Sequence, residues 1–124
     1  MSNQIMVKSV DKTTEFFTPE RVHILENWND AGDGAVSIAR ARLEPGITTQ
    51  LHSLTGVTER YLVVRGRGEF ENEEGDWIEV AAEDIIYIPA GRPQRIRNTG
   101  TDDLVFYCVC TPRFDPAAYV ALGE

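Results

Sequence analysis

The sequence contains little cysteine. Cys108 and Cys110 are its two cysteines among 124 residues, too few for a disulfide framework or a four-cysteine zinc site. On one strand, residues two apart face the same way at about 7 Å, beyond the reach of an unstrained disulfide. Two interpretations stay open: two small buried hydrophobic side chains, or a pair of thiols that lines a pocket.

Positive charge and long apolar runs are also scarce. Lys and Arg number 12 against 20 Asp and Glu, which gives a net charge of −8. Such a chain matches neither a phosphate backbone nor an anionic membrane, so we expect no nucleic-acid partner and no membrane partner. Uncharged stretches such as Leu104 to Pro112 are too short to span a bilayer, and the first residues lack the apolar core of a secretion signal. We therefore expect a cytoplasmic protein.

Nucleotide-binding and hydrolase motifs are absent from the sequence. No Gly-x-Gly-x-x-Gly precedes a helix, there is no Walker loop, and no Ser-His-Asp set has a supporting context. We therefore expect no nucleotide or organic cofactor. The 42% of hydrophobic residues and 26% of charged residues are typical of a folded globule, and the length favours one domain over residues 1–124.

Turn residues recur at short intervals, as in Pro45-Gly46, Glu74-Gly75-Asp76 and Asn98-Thr99-Gly100. The runs between them are rich in Val, Ile, Tyr and Phe, which is typical of an all-β sandwich or barrel. One short helix is expected at the C-terminus, over Asp115 to Leu122, because Asp can cap it and Pro116 suits its first position. The predicted strands are Arg21–Asn27, Ala35–Leu43, Thr49–Leu54, Arg60–Arg65, Gly68–Asn72, Trp77–Val80, Asp84–Ile88, Gln94–Arg97 and Leu104–Thr111.

Two stretches, Pro45 to Gly68 and Glu83 to Asn98, resemble the two motifs of the cupin superfamily. The first motif is Gly, five residues, His-x-His, three or four residues, Glu, six residues, Gly. The second is Gly, five residues, Pro-x-Gly, two residues, His, three residues, Asn. The resemblance implies a single-domain antiparallel β-barrel of the jelly-roll type with a pocket inside. We expect its core at about residues 35–111, between an N-terminal arm (1–34) and a C-terminal tail (112–124).

The match breaks at the positions that bind metal in many cupins. His52 and Glu59 keep the motif, whereas Leu54 and Gln94 stand where histidines are usual. The resemblance therefore implies a depleted metal site of His52, Glu59 and Gln94. One imidazole with oxygen donors would suit Mn, Fe, Co or Zn.

Parity along the strands adds Gln50, which shares the face of His52, and Tyr61, one step deeper than Glu59. We predict Glu59, His52 and Tyr61 as catalytic residues, with Gln50 and Gln94 binding the substrate. The leading hypothesis is metal-assisted oxygenase or isomerase chemistry on a small molecule. Two alternatives stay open: a metal-free barrel that binds a ligand without turnover, and a metal-free isomerase or cyclase with a His52–Glu59 acid–base pair.

Two further expectations concern the surface. Arg40 and Arg42 share one strand face: turned inward they would clamp an anionic substrate, and turned outward they would form a solvated face. The run Glu59 to Val64 is largely apolar on both faces. A strand of this kind packs against more than one layer, which predicts a homodimer.

Overall fold

A computed structural model describes residues 3–124, and β-strands make up most of its regular structure. All nine strands predicted from the sequence are present; Leu104–Thr111 has the predicted bounds, and the other eight differ at one or both ends. Two more strands, β1 and β11, were not predicted. The strands are β1 (Phe16–Phe17), β2 (His23–Trp28), β3 (Ser37–Leu43), β4 (His52–Leu54), β5 (Thr58–Arg65), β6 (Arg67–Glu71), β7 (Trp77–Ala81), β8 (Ile85–Ile88), β9 (Ile96–Asn98), β10 (Leu104–Thr111) and β11 (Tyr119–Ala121).

The strands form two layers. The first is a six-stranded antiparallel sheet in the order β1-β2-β3-β10-β5-β8. The second contains a three-stranded sheet, β7-β6-β9, and a two-stranded ribbon, β11-β4. Isolated bridges from Thr48 to Arg97 and from His52 to Gln94 join the ribbon to the three-stranded sheet. This arrangement confirms the predicted all-β jelly roll.

The core lies between the layers, because each strand turns alternate side chains inward. On β5 the buried residues are Glu59, Tyr61 and Val63, at the period of two that a half-buried strand requires. From the other layer, Ile96 of β9 is fully buried against the same cluster. Each large aliphatic or aromatic side chain that is buried in this way contributes about 1.5–3 kcal/mol.

Both ends of the chain contribute to the layers. The N-terminal arm forms β1 and β2 and thereby widens the six-stranded sheet beyond the range 35–111. The short C-terminal helix is confirmed as a single 3₁₀ turn, Pro116–Ala118, capped by the Asp115 side chain. Its expected continuation to Leu122 is wrong, because Tyr119–Ala121 pairs with β4 as a strand. Pairing with an open strand edge overrides the helix propensity of these residues.

The homodimer prediction rested on the run Glu59 to Val64, of which Val64 lies on the outer face of the six-stranded sheet beside Ile85 and Tyr87 of β8. Val64, Ile85 and Tyr87 are 40%, 60% and 63% exposed. The homodimer stays a prediction. None of the helices among residues 3–124 has the length and apolar character to cross a membrane.

Gly68 gives a direct test of the packing between β6 and its neighbours. A Cβ atom at this position would lie 2.3 Å from the Arg97 carbonyl oxygen and 2.8 Å from Leu104 Cδ2. Relief of this clash requires the backbone at Arg97 to move. We therefore expect Gly68→Ala to lower the free energy of unfolding by about 1–3 kcal/mol in urea denaturation. Gly34→Ala, where nothing lies within 4 Å, is the matched control. Equal stability of the two variants would contradict this packing.

Candidate functional site

A cavity of about 410 Å³ lies between the two layers. Strands β2, β3, β4, β5 and β10 form most of its wall, and segments of both chain ends complete it. Four of the predicted or motif positions reach it: His52, Leu54, Glu59 and Tyr61. Its lining residues are Phe16, Thr18, Pro19, Glu20, Ile24, Glu26, Trp28, Asn29, Ser37, Ile38, Ala39, Ala41, His52, Leu54, Glu59, Tyr61, Phe106, Cys108, Cys110, Phe114, Pro116 and Tyr119.

His52 is held in one orientation at this cavity. Its Nδ1 lies 2.7 Å from the Gln50 carbonyl oxygen, and its ring stacks on Tyr119 with centroids 4.9 Å apart. Because a carbonyl oxygen only accepts, Nδ1 carries a proton and donates it. The other ring nitrogen, Nε2, faces the carboxyl group of Glu20. It is the nitrogen available for proton exchange.

Glu59 and Gln94 meet in a buried chain of hydrogen bonds. The Tyr61 hydroxyl donates to Gln94 Oε1, and the Gln94 side chain hydrogen-bonds Glu59. Since a carboxylate accepts, the Gln94 amide turns its NH₂ group to Glu59 and its oxygen to Tyr61. The Cys110 thiol donates to Glu59 Oε2 over 3.5 Å. Glu59 is thus held by two neighbours, Gln94 on the segment before β9 and Cys110 on β10.

A second carboxylate, Glu20, completes the cluster and was missed by the sequence reasoning. Its Oε2 lies 3.4 Å from His52 Nε2, and the Tyr119 hydroxyl is also a hydrogen-bonding neighbour. The Glu20 carbonyl accepts from the Gln50 amide, which anchors the arm beside β4. No motif or periodicity marks Glu20, because it reaches the site through the path of the arm.

Burial sets the protonation of the two carboxyls. It raises the pKa of Glu59 above its ordinary value, His52 opposes the rise, and the charge of Glu20 adds to it. Burial also raises the pKa of Glu20, again against the influence of His52. A carboxyl with a raised pKa is a stronger base when ionised and holds a proton to higher pH.

Both cysteines line the cavity, which agrees with the second of the two interpretations left open by the sequence. They are free thiols on the inner face of β10. Burial raises the pKa of Cys108 well above its usual range and raises that of Cys110 in the same direction. They are therefore protonated and weakly nucleophilic at neutral pH.

None of the four residues predicted to bind substrate lines the cavity. Gln94 lies behind the wall, bonded to Tyr61, whereas Arg40, Arg42 and the Gln50 side chain lie apart from the cluster. Arg40 and Arg42 project from the outer face of β3, where both contact Glu15, at 3.2 and 2.7 Å. The Gln50 amide instead holds the C-terminal tail: its oxygen accepts from Tyr119 (2.7 Å) and its nitrogen donates to the Gly123 carbonyl (3.1 Å). The structure brings together His52, Glu59, Gln94 and Tyr61, and it does not bring these three residues to them.

The donor set does not fit the divalent metal that the family resemblance implies. Within residues 3–124, no three His, Cys, Asp or Glu side chains are arranged to hold a metal ion together. Gln94 turns its oxygen to Tyr61, and an amide NH₂ group has no lone pair to donate to a metal. Leu54 adds no donor at the position where a second histidine is usual.

The fold and this site define a class of protein: a two-layered antiparallel jelly roll with polar residues of the first sequence motif at an interlayer cavity and Gln94 of the second hydrogen-bonded behind them. The chain belongs to the cupin family. Residues 39–110, more than half of its length, match the family model described as "Cupin domain".

Two curated relatives match at the level of sequence. The chain is 35% identical over 71 residues to the oxalate-binding protein of Thermotoga maritima, and the match covers 57% of this chain and 58% of that protein. It is 35% identical over 80 residues to an uncharacterized protein of Methanocaldococcus jannaschii, covering 63% and 62%. The chain thus spans less than two thirds of the length of either relative.

Solved structures share the fold. A Klebsiella pneumoniae protein with a double-stranded β-helix domain has a TM-score of 0.76 at 16% identity, covering 98% of this chain and all of that one. A predicted oxalate decarboxylase from Thermotoga maritima has a TM-score of 0.71 at 24% identity, covering 85% and 99%. At these identities the likeness concerns the fold alone.

Restoring the motif histidines tests the metal assignment. In the double variant Leu54→His/Gln94→His two imidazoles join His52 and Glu59, which completes the donor set of metal-binding cupins. We expect this variant to bind Co²⁺ stoichiometrically, in isothermal titration and by elemental analysis, at concentrations where the wild type retains none. If the wild type bound as much Co²⁺ as the variant, the native residues would already form a metal site.

The raised carboxyl pKa values predict how stability changes with pH. Above the ordinary value of 4.5, the unfolded chain releases the Glu59 proton while the folded chain still holds it. Stability therefore falls as pH rises from 4.5 through the folded pKa, by up to about 1.4 kcal/mol per pH unit for one group. Glu59→Gln removes this contribution, so its urea-denaturation free energy should fall less than that of the wild type as pH rises from 4.5.

The matched control for this series is Glu79→Gln, an exposed carboxylate on β7 outside the cavity. It should keep the pH dependence of the wild type. Parallel curves for the wild type and Glu59→Gln would contradict the raised pKa.

Proposed function

We propose that this cupin acts on a small organic molecule by metal-independent acid–base chemistry, with Glu59 as base and the His52–Glu20 pair as acid. One observation carries the proposal. Two carboxyls of raised pKa adjoin one oriented imidazole at a largely apolar cavity between the layers. Groups whose proton affinities are tuned by burial and by each other are typical of sites that move protons near neutral pH.

The chemistry that suits these groups is proton transfer next to a carbonyl. Glu59 takes a proton from the carbon, and the C–H electron pair becomes the C=C bond of an enol. The His52–Glu20 pair gives a proton to the carbonyl oxygen, and return of the protons to other positions completes an isomerisation or epimerisation. No electron acceptor or donor is needed, so the step balances with the groups at the cavity.

Tyr61 and Gln94 serve this proposal as positioning residues. The Tyr61 hydroxyl proton is committed to Gln94, and the Gln94 NH₂ group holds Glu59. Tyr61 contacts the cavity through its ring, which packs on Phe106 with centroids 4.5 Å apart. The substrate would therefore meet a tyrosine ring and a fixed carboxylate.

Metal-assisted oxygenase or isomerase chemistry, the leading hypothesis from the sequence, is the less supported candidate. It requires Gln94 to offer an oxygen that is already bonded to Tyr61, and a third ligand that Leu54 cannot provide. The acid–base proposal uses the residues in the orientations they have.

Hydrogen–deuterium exchange of a neutral ketone tests the chemistry without knowledge of the natural substrate. Cyclohexanone in D₂O should exchange its α-hydrogens faster with the wild-type protein and EDTA than in buffer alone, as followed by proton NMR. Glu59→Gln should lower the protein-dependent rate by about 100-fold, since a positioned base contributes at least that much. Glu79→Gln should leave it unchanged.

Three outcomes would overturn the proposal: no exchange above buffer, loss of exchange on addition of EDTA, or full activity of a folded Glu59→Gln protein. His52→Gln and Glu20→Gln give independent readings should Glu59→Gln fail to fold. Binding of ketone without exchange would identify the cavity as a ligand-binding barrel without turnover.

A further inference from the structure

The wall of the cavity is acidic. Glu20, Glu26 and Glu59 all line it, and its lining residues, all within the described part of the chain, include no Lys or Arg. Glu59 is 7% exposed, so water screens its charge poorly. Even with His52 protonated, three carboxyls face one imidazolium. A ligand that enters therefore meets more groups that can become negative than groups that can become positive.

Aromatic rings form a large part of the same wall. They come from three parts of the chain: the N-terminal arm, strands β5 and β10, and the C-terminal tail. A cation over such faces is attracted to the ring electrons, most strongly where water is excluded. The six rings are those of Phe16, Trp28, Tyr61, Phe106, Phe114 and Tyr119.

The arginines nearest in sequence to these residues donate hydrogen bonds to groups outside the cavity lining. Arg21 Nε donates to the Thr48 carbonyl at 2.9 Å. Arg60 Nη1 donates to Thr111 Oγ1 at 2.6 Å, on the outer face of β5. Neither arginine is among the lining residues, and the charge of Arg21 lowers the pKa of Glu20 less than His52 does. The cavity wall itself therefore supplies no guanidinium or ammonium group.

We propose that the ligand of this cavity is a small organic cation, an ammonium compound whose charge lies near Glu20 and Glu59 and whose carbon groups contact the aromatic rings. This inference rests on the proposed function, because it assigns a substrate class to the same site. It also separates this chain from its Thermotoga relative, whose name refers to oxalate. Each of these carboxyls repels a dianion once it is ionised, and the wall holds no Lys or Arg that could bind one.

Titration of the full-length protein with three probes tests the charge preference. The probes are choline, its neutral isostere in which a tert-butyl group replaces the trimethylammonium group, and oxalate, each followed by calorimetry and by NMR shifts of the methyl groups that line the cavity. We expect choline to bind at least about tenfold more tightly than its isostere, and oxalate to shift no cavity resonance.

Carboxylate variants locate the charge. Glu20→Gln and Glu59→Gln should each weaken choline binding several-fold and leave the neutral isostere within about twofold, because only the cation interacts with the lost charge. Glu79→Gln removes one exposed charge far from the cavity wall and is the control for the net charge of −8. Glu20→Gln, on the arm, serves alone if Glu59→Gln does not fold.

The inference is overturned if choline and its isostere bind equally, if oxalate binds more tightly than choline, or if choline shifts no cavity resonance at millimolar concentration. These outcomes are separate from those of the ketone experiment. Exchange of neutral cyclohexanone without a preference for cations would leave the proposed function standing and remove this substrate class. Tight choline binding without ketone exchange would support the cationic ligand and overturn the proposed acid–base function.

Discussion

The site depends on one antiparallel backbone bridge, between His52 and Gln94. The His52 amide donates to the Gln94 carbonyl at 3.2 Å, and the Gln94 amide returns a bond to the His52 carbonyl at 2.8 Å. This pair helps to join the β4–β11 ribbon to the three-stranded sheet. It places the His52 side chain on the cavity wall and the Gln94 side chain behind that wall, where it bonds Tyr61. A closely bonded antiparallel pair fixes the register of its neighbours, since a slip by one residue would turn every side chain to the other face.

The strands could be predicted because their signals are local. Turn residues bound each run, and the alternation on β5 buries Glu59, Tyr61 and Val63 as its period requires. β11 could not be predicted in this way. Its sequence favours a helix, and only the free edge of β4, more than sixty residues earlier in the chain, makes it a strand.

The site likewise has residues that local sequence signals identify and residues that depend on distant parts of the chain. Motif spacing identified His52, Glu59 and Gln94, because positions on paired strands follow from the fold. It could not identify Glu20, which depends on where an irregular segment of the arm lies. It also could not give the orientation of the Gln94 amide, which is set by Tyr61.

The two thiols of β10 have a consequence for chemical probes of this protein. Cys108 and Cys110 stand on the cavity wall, yet burial keeps them protonated, so alkylating reagents and mild oxidants would react with them slowly. Carboxyls that hold their protons to higher pH are the groups that diazo compounds and carbodiimides esterify or activate. A covalent inhibitor for this pocket would therefore carry a carboxyl-directed warhead, not a thiol-directed one.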